Sequence, residues 1–164
     1  RAIMVTTSES LANSVSDEVE RQLTLLPRES IARPAIENNS YIAVMNSIED
    51  MFTVMNEVAP EHLEIQLPDP MNYMSLVQNA GSVFLGAYAS EPLGDYLGGT
   101  NHVLPTSGTA RFSSPLGVYD FVKRTSFTQF TKERLEEVAT HITTLARTEG
   151  LEAHARAIKV RFEK

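Results

Sequence analysis

SYIAVMNSIEDMFTVMNEVAPEHLEIQL, residues 40–67, holds one full turn of the alternation that sets the fold. Residues 41–45, YIAVM, form the continuous apolar run typical of a strand inside a parallel sheet. Ser47 stands where a side-chain oxygen caps a helix, and Ile48, Met51, Met55 and Val58 then recur at spacings of three and four. This helix should stop ahead of Pro60, because the residue before a proline disfavours helical geometry. HLEIQL, residues 62–67, alternates apolar and polar residues as a half-exposed or edge strand does. Strand, helix, strand is the crossover unit of a parallel sheet.

The pattern extends in both directions. Residues 1–6 suit a buried strand, and Ser8 caps a helix carrying Leu11, Val15, Val19, Leu23 and Leu26 to a stop at Pro27. A short segment, Ile31 to Ile36, leads through the turn-like ENNS into the quoted stretch. Beyond it, PDPMNYMSLVQN (68–79) suits a short helix and GSVFLG (81–86) another buried strand. The order strand, helix, strand, helix, strand, helix, strand predicts an α/β layered sheet with ligands near the carboxyl ends of its strands.

From Ala87 to Ser114 the periodicity lapses and glycines gather, while Leu93, Tyr96, Leu97, Val103 and Leu104 run through the stretch as buried-type residues. An ordered, functional loop is expected there. Residues 115–130 suit a short helix and a short strand. Thr131 then caps a helix with Leu135, Val138, Ile142 and Leu145 on one face, Gly150 breaks it, and residues 151–162 form a last helix. The two terminal helices look like an arm that packs on its own body or on a second subunit.

Composition narrows the function. With 164 residues, 42% of them hydrophobic, the chain can bury a core, and a formal charge of -7 from 21 acidic and 14 basic side chains argues against nucleic acid. No apolar run approaches the roughly 20 residues of a membrane span. The absence of cysteine excludes disulfides, thiolate zinc and a thiol nucleophile within these residues, so a bound metal needs nitrogen and oxygen ligands.

The histidines are His62, His102, His141 and His154, and none falls in a consecutive zinc motif. His141 reads as a surface or packing residue. Glu61 and His62 set an acid beside a base between a proline and a strand. That is either a pair of proton-transfer groups or an ordinary solvated loop. Asp95, among Leu93, Tyr96 and Leu97, must face water or find a cation. His154 shares a helical face with Leu151 and Ile158, the usual setting of a core histidine. His102 lies in GGTNHVLPT (98–106), either near a ligand or bonded to a turn. Gly108, Thr109 and Arg111 ahead of Ser114 raise a weak phosphate-binding alternative, without any nucleotide fingerprint in the chain.

Three stretches carry the reading further: EVAPEHLEI (57–65), AGSVFLGAYASEPLGDYLGGTNHVLPTSGTARFSSPLGVYDFVKRTS (80–126) and EGLEAHARAI (149–158). Together they closely resemble the carboxyl-terminal part of histidinol dehydrogenase, over essentially the whole chain. The resemblance implies two NAD-linked oxidations, L-histidinol to L-histidinal to L-histidine, at a site with one Zn2+, closing histidine biosynthesis. It implies His62 as the base that takes the hydroxyl proton and Glu61 as the base that activates water. Asp95 and His154 match metal ligands, and Glu149 contacts the substrate together with His62, Asp95 and His154. His102 is carried as a neighbour of the site.

In fold, the resemblance implies that residues 1–116 are half of an aldehyde-dehydrogenase-like core with a Rossmann-like layered sheet. Residues 117–164 would be a helical dimerisation arm, giving a homodimer with sites shared between subunits, in the cytoplasm unless a transit peptide precedes Arg1. The family's other zinc ligands, from a Gln-x-x-His motif, and most NAD contacts belong before Arg1. These 164 residues alone are therefore expected to be inactive, and to dimerise or aggregate. A non-catalytic dimerising or imidazole-binding domain of the same family is the alternative.

Overall fold

The computed structural model describes residues 1–163, which divide into two compact units, 1–122 and 123–163. The first alternates strands and helices as the apolar patterning predicts. β1 (Ile3–Thr6) leads to α1 (Glu9–Leu23) and α2 (Glu29–Asn39); β2 (Tyr41–Val44) leads to α3 (Ile48–Val58) and β3 (His62–Ile65). A 3-10 segment, Pro70–Leu76, precedes β4 (Ser82–Leu85), and α4 (Glu91–Tyr96) follows. Ser8 and Ser47 cap α1 and α3 through the amides of Leu11 and Asp50, both at 3.1 Å.

Among the described residues all pairing is parallel, in two two-stranded ladders: β1 with β2, register Ile3 to Tyr41, and β3 with β4, register His62 to Ser82. The core lies under the second ladder, where Phe52, Leu63 and Ile65 are buried and Ile48, Met55 and Tyr73 pack around them. Phe52 and Tyr73 stack at 5.9 Å.

A cavity of about 1060 Å³ lies between β1 and β3, floored by Met51, Phe52 and Met55 of α3. Peptide groups of alternate residues face opposite edges of a strand. Tyr41 N donates to Ala2 O and Met45 N to Thr6 O, while Ser82 N donates to Glu61 O and Gly86 N to Ile65 O. Ala2, Thr6, Glu61 and Ile65 therefore turn their carbonyls to the paired strand. By the same alternation Ile3, Val5, His62 and Glu64 turn theirs away from it.

Several expectations change. The segment 31–36 is part of the eleven-residue α2, and ENN forms its last turn with Ser40 as C-cap. Pro34 lies inside α2, and Arg33 beside it bridges Glu29 at 2.9 Å and Glu37 at 3.4 Å along the helix and Glu20 of α1 at 2.9 Å. Such pairs favour the helical state that Pro34 disfavours. β2 is not buried: Tyr41, Ile42 and Val44 are exposed. In 87–114 the apolar residues Leu93, Tyr96, Leu97 and Val103 face solvent, and order comes instead from α4 and buried Pro105. The expected helix at 68–79 is a 3-10 segment that follows Asp69 in the left-handed region at φ 46. Residues 115–130 form a 3-10 turn at Val118–Phe121 and no strand, with Phe121 and Phe127 exposed.

In the second unit, α5 (Lys132–Thr148) packs on α6 (Glu152–Lys159) across Gly150, whose φ of 75 is the left-handed conformation glycine tolerates. Thr143, Ala146 and Ala155 are the buried residues; Leu145, expected on the inner face, is exposed. Small residues hold the seam because they let the two helices approach closely.

Candidate functional site

Three local features fix the start of β3. Ala59, buried and left-handed at φ 48, ends α3 and turns the chain into Pro60 and Glu61. Gly81 N and Ser82 N then hold the carbonyls of Pro60 and Glu61 at 2.9 and 2.8 Å. A side chain at Gly81 would place its Cβ 2.6 Å from Glu61 O, so that close approach needs glycine. Alternation along β3 sends Leu63 and Ile65 into the core and leaves His62 and Glu64 on the opposite face.

α4 docks on that opposite face. Its own N-cap residue, Ser90, makes no side-chain cap; the Glu91 amide donates instead to Glu64 Oε1 at 3.0 Å. Gln66 Nε2 holds the other Glu64 oxygen at 3.1 Å. One turn along, Gly94 leaves room for the Phe84 ring, which an added Cβ would meet at 2.6 Å. Asp95 follows, and its Oδ1 lies 3.7 Å from His62 Nε2.

That Nε2 is inaccessible to solvent and has no hydrogen-bond partner among the described residues, while the imidazole sits 6.1 Å from the Phe84 ring. Glu91 completes the group: one ligand atom from each of His62, Glu91 and Asp95 lies within 4.8 Å of the others. Burial, a hydrogen bond to Asp95 and the Asp95 charge push the Glu91 carboxyl above its ordinary value. His62 pulls it back and Glu64 adds to the rise. One nitrogen and two carboxylates converging on a half-buried point suit a divalent cation of nitrogen and oxygen preference, such as zinc. An unpaired buried nitrogen is costly, and a cation between it and the carboxylates would satisfy it.

Asp95 thus finds His62 as its neighbour, and Leu93, Tyr96 and Leu97 turn outward instead of enclosing it. Glu61 and His62 both line the cavity beside β1. Glu149 caps the end of α5 and His154 lies on α6, both exposed in the second unit. Exposure removes the core-histidine reading of His154. His102 is exposed in irregular chain, and His141 is exposed on α5. The phosphate alternative also falls: the Arg111 guanidinium donates to Gly108 O at 2.9 Å and to Glu57 O, closing the end of α3. Glu91 was not anticipated. Its signal was the Glu91-to-Asp95 spacing of four, which places two carboxylates on one helical face only once 91–96 is known to be a helix.

Comparison with known proteins gives a consistent result. The histidinol dehydrogenase family profile matches residues 1–162. The chain is 65% identical over 163 residues to histidinol dehydrogenase of Lactiplantibacillus plantarum, covering 99% of this chain and 38% of that protein. It is 56% identical over 164 residues to the Listeria monocytogenes serovar 1/2a enzyme, covering 100% of this chain and 38% of that one. The crystal structure of histidinol dehydrogenase from Elizabethkingia anophelis superposes with a TM-score of 0.73 at 40% identity, over 98% of this chain and 37% of its own. The chain thus spans well under half the length of these relatives.

Proposed function

Since this chain belongs to the histidinol dehydrogenase family, we propose that it supplies proton-transfer and metal-binding groups for oxidation of L-histidinol through L-histidinal to L-histidine, the last steps of histidine biosynthesis. The observation that carries this reading is the buried, unpartnered His62 Nε2 facing Asp95 Oδ1 at 3.7 Å. Asp95 and His154 of the arm would hold the zinc, with His62 and Glu91 converging beside Asp95, and zinc when bound would fix the imidazole and amino groups of the substrate as a template. The hydride of both oxidations would pass to NAD, to which no residue of this chain is assigned. His62 takes the proton of the substrate hydroxyl as general base. Glu61 activates water for attack on the aldehyde carbon, which needs no covalent thiol intermediate. Glu149 and His154 contact the substrate, with His102 nearby.

In the same reading, residues 1–116 are half of an aldehyde-dehydrogenase-like core with Rossmann-like layering. Residues 117–164 are the dimerisation arm of a cytoplasmic homodimer, which shares each site between subunits. The test grafts residues 1–162 in place of the matched segment of the Lactiplantibacillus plantarum relative and follows histidinol-dependent NADH formation and zinc content. His62→Gln should lower kcat about 10²- to 10⁴-fold, the range for loss of a general base. Asp95→Asn should lower zinc content. Unchanged turnover in His62→Gln would overturn the assignment.

A further inference from the structure

The contact between His62 and Asp95 joins two elements 33 positions apart in sequence, so something must set the register of α4 on β3. We propose that Glu64 is the positioning residue: its carboxylate, clamped at the amino end of α4, fixes where Asp95 falls opposite His62. The proposal builds on the functional reading above, in which that pair belongs to the metal and substrate site.

Four observations carry it. Glu64 follows His62 by two on the same face of β3, so both project toward α4. Its Oε1 accepts from the Glu91 amide, the first of the helix, and supplies the cap that Ser90 does not. Its Oε2 is held by Gln66, the next residue on that face, so the carboxylate has a fixed direction. Finally, Gly94 against Phe84 provides close approach but little direction, since a glycine facing a ring lets the helix slide.

Helix geometry explains why one anchor suffices. Positions four apart lie one above the other, separated by about 6 Å of rise. Fixing the amide of Glu91 therefore fixes the height of Asp95, and the spacing of two along β3 offers His62 at nearly the same height, about 6.6 Å from Glu64 along the strand. A charged acceptor at a helix amide makes a short, directional bond. The cap of α4 thereby becomes a ruler for the site.

The experiment uses Glu64→Ala and Glu64→Gln in this chain, with two readouts by NMR and one by zinc titration. In the parent, the His62 ring should show NOEs to the Asp95 β protons and the Glu91 amide should exchange slowly. Glu64→Ala should lose both and weaken zinc binding by about tenfold or more, as expected when a residue supporting a ligand is removed. Glu64→Gln keeps an oxygen acceptor and should restore the NOEs and most of the zinc affinity. Faster Glu91 exchange in Glu64→Ala with the NOEs intact would reduce Glu64 to an ordinary cap and overturn the proposal. If Glu64→Ala does not fold, Glu64→Asp decides: its carboxylate is one carbon shorter, and unaltered NOEs there would also overturn it. Failure of the parent to bind zinc would count against the functional reading and leave the NOE test valid.

Discussion

Asp95 Oδ1 of α4 stands 3.7 Å from His62 Nε2 of β3, and that nitrogen is closed to solvent. This carboxylate, the imidazole nitrogen and the Glu91 carboxyl converge on one half-buried point.

Asp95→Asn keeps the shape and removes the charge. Zinc affinity of the chain should fall by more than about 100-fold, the upper end of what residues merely supporting a ligand contribute. Competition against a chromophoric chelator measures it, and affinity within threefold of the parent would remove Asp95 from the ligand set.

Gly81→Ala would push a methyl group to 2.6 Å from Glu61 O and about 3.1 Å from Pro105 Cδ. Backbone on one side and a buried proline on the other cannot yield cheaply. Overpacking of this kind costs about 1–3 kcal/mol, which urea denaturation should register. Because the displaced atom belongs to Glu61, turnover of the grafted enzyme should drop as well.

The pH dependence of stability follows from the Glu91 carboxyl, raised by burial and by Asp95. A group that binds its proton more tightly folded than unfolded contributes fully below its unfolded value, and that contribution is lost as pH rises through the folded one. Zinc-free chain should therefore lose this part of its stability with rising pH, and Glu91→Gln should remove the loss. Asp95, His62 and Glu64 face the same carboxyl and shift the midpoint. Glu18 has the opposite sign: Arg21 and Gln22 hold it at about 2, so its contribution is present above its ordinary 4.5 and fades as pH falls toward 2. Urea midpoints across the carboxylate range, in the parent and Glu91→Gln, separate the two.

Hydrogen exchange should report the open strand edges beside the cavity. The amides of Ile3, Val5, His62 and Glu64 point away from the paired strands and should exchange faster than those of Met4, Thr6, Leu63 and Ile65. Equal protection in both sets would mean that β1 and β3 bond to each other in solution.

Local signals were the legible part. Serine caps at 8 and 47, the stop before Pro60 and the parallel alternation all appear where residue spacing put them, because each depends on neighbours within one or two turns of chain. α4 escaped notice for a physical reason: six residues containing Pro92 and Gly94 have poor helix propensity, and the cap comes from Glu64 on another element. Burial was misjudged at Tyr41, Ile42, Val44 and Leu145, since an apolar pattern says which face wants covering and nothing about what covers it.

By itself, the sequence determined the four strands and the helices α1, α3, α5 and α6 in their order, a nitrogen and oxygen donor chemistry free of thiols, and the pairing of Glu61 with His62 ahead of a strand. Tertiary structure decided that Asp95 meets His62, that Glu91 joins them, and that Arg111 closes a helix instead of holding a phosphate. The division follows from range: propensity and periodicity act between near neighbours, whereas a site is made where distant segments are brought to within a few ångströms by packing.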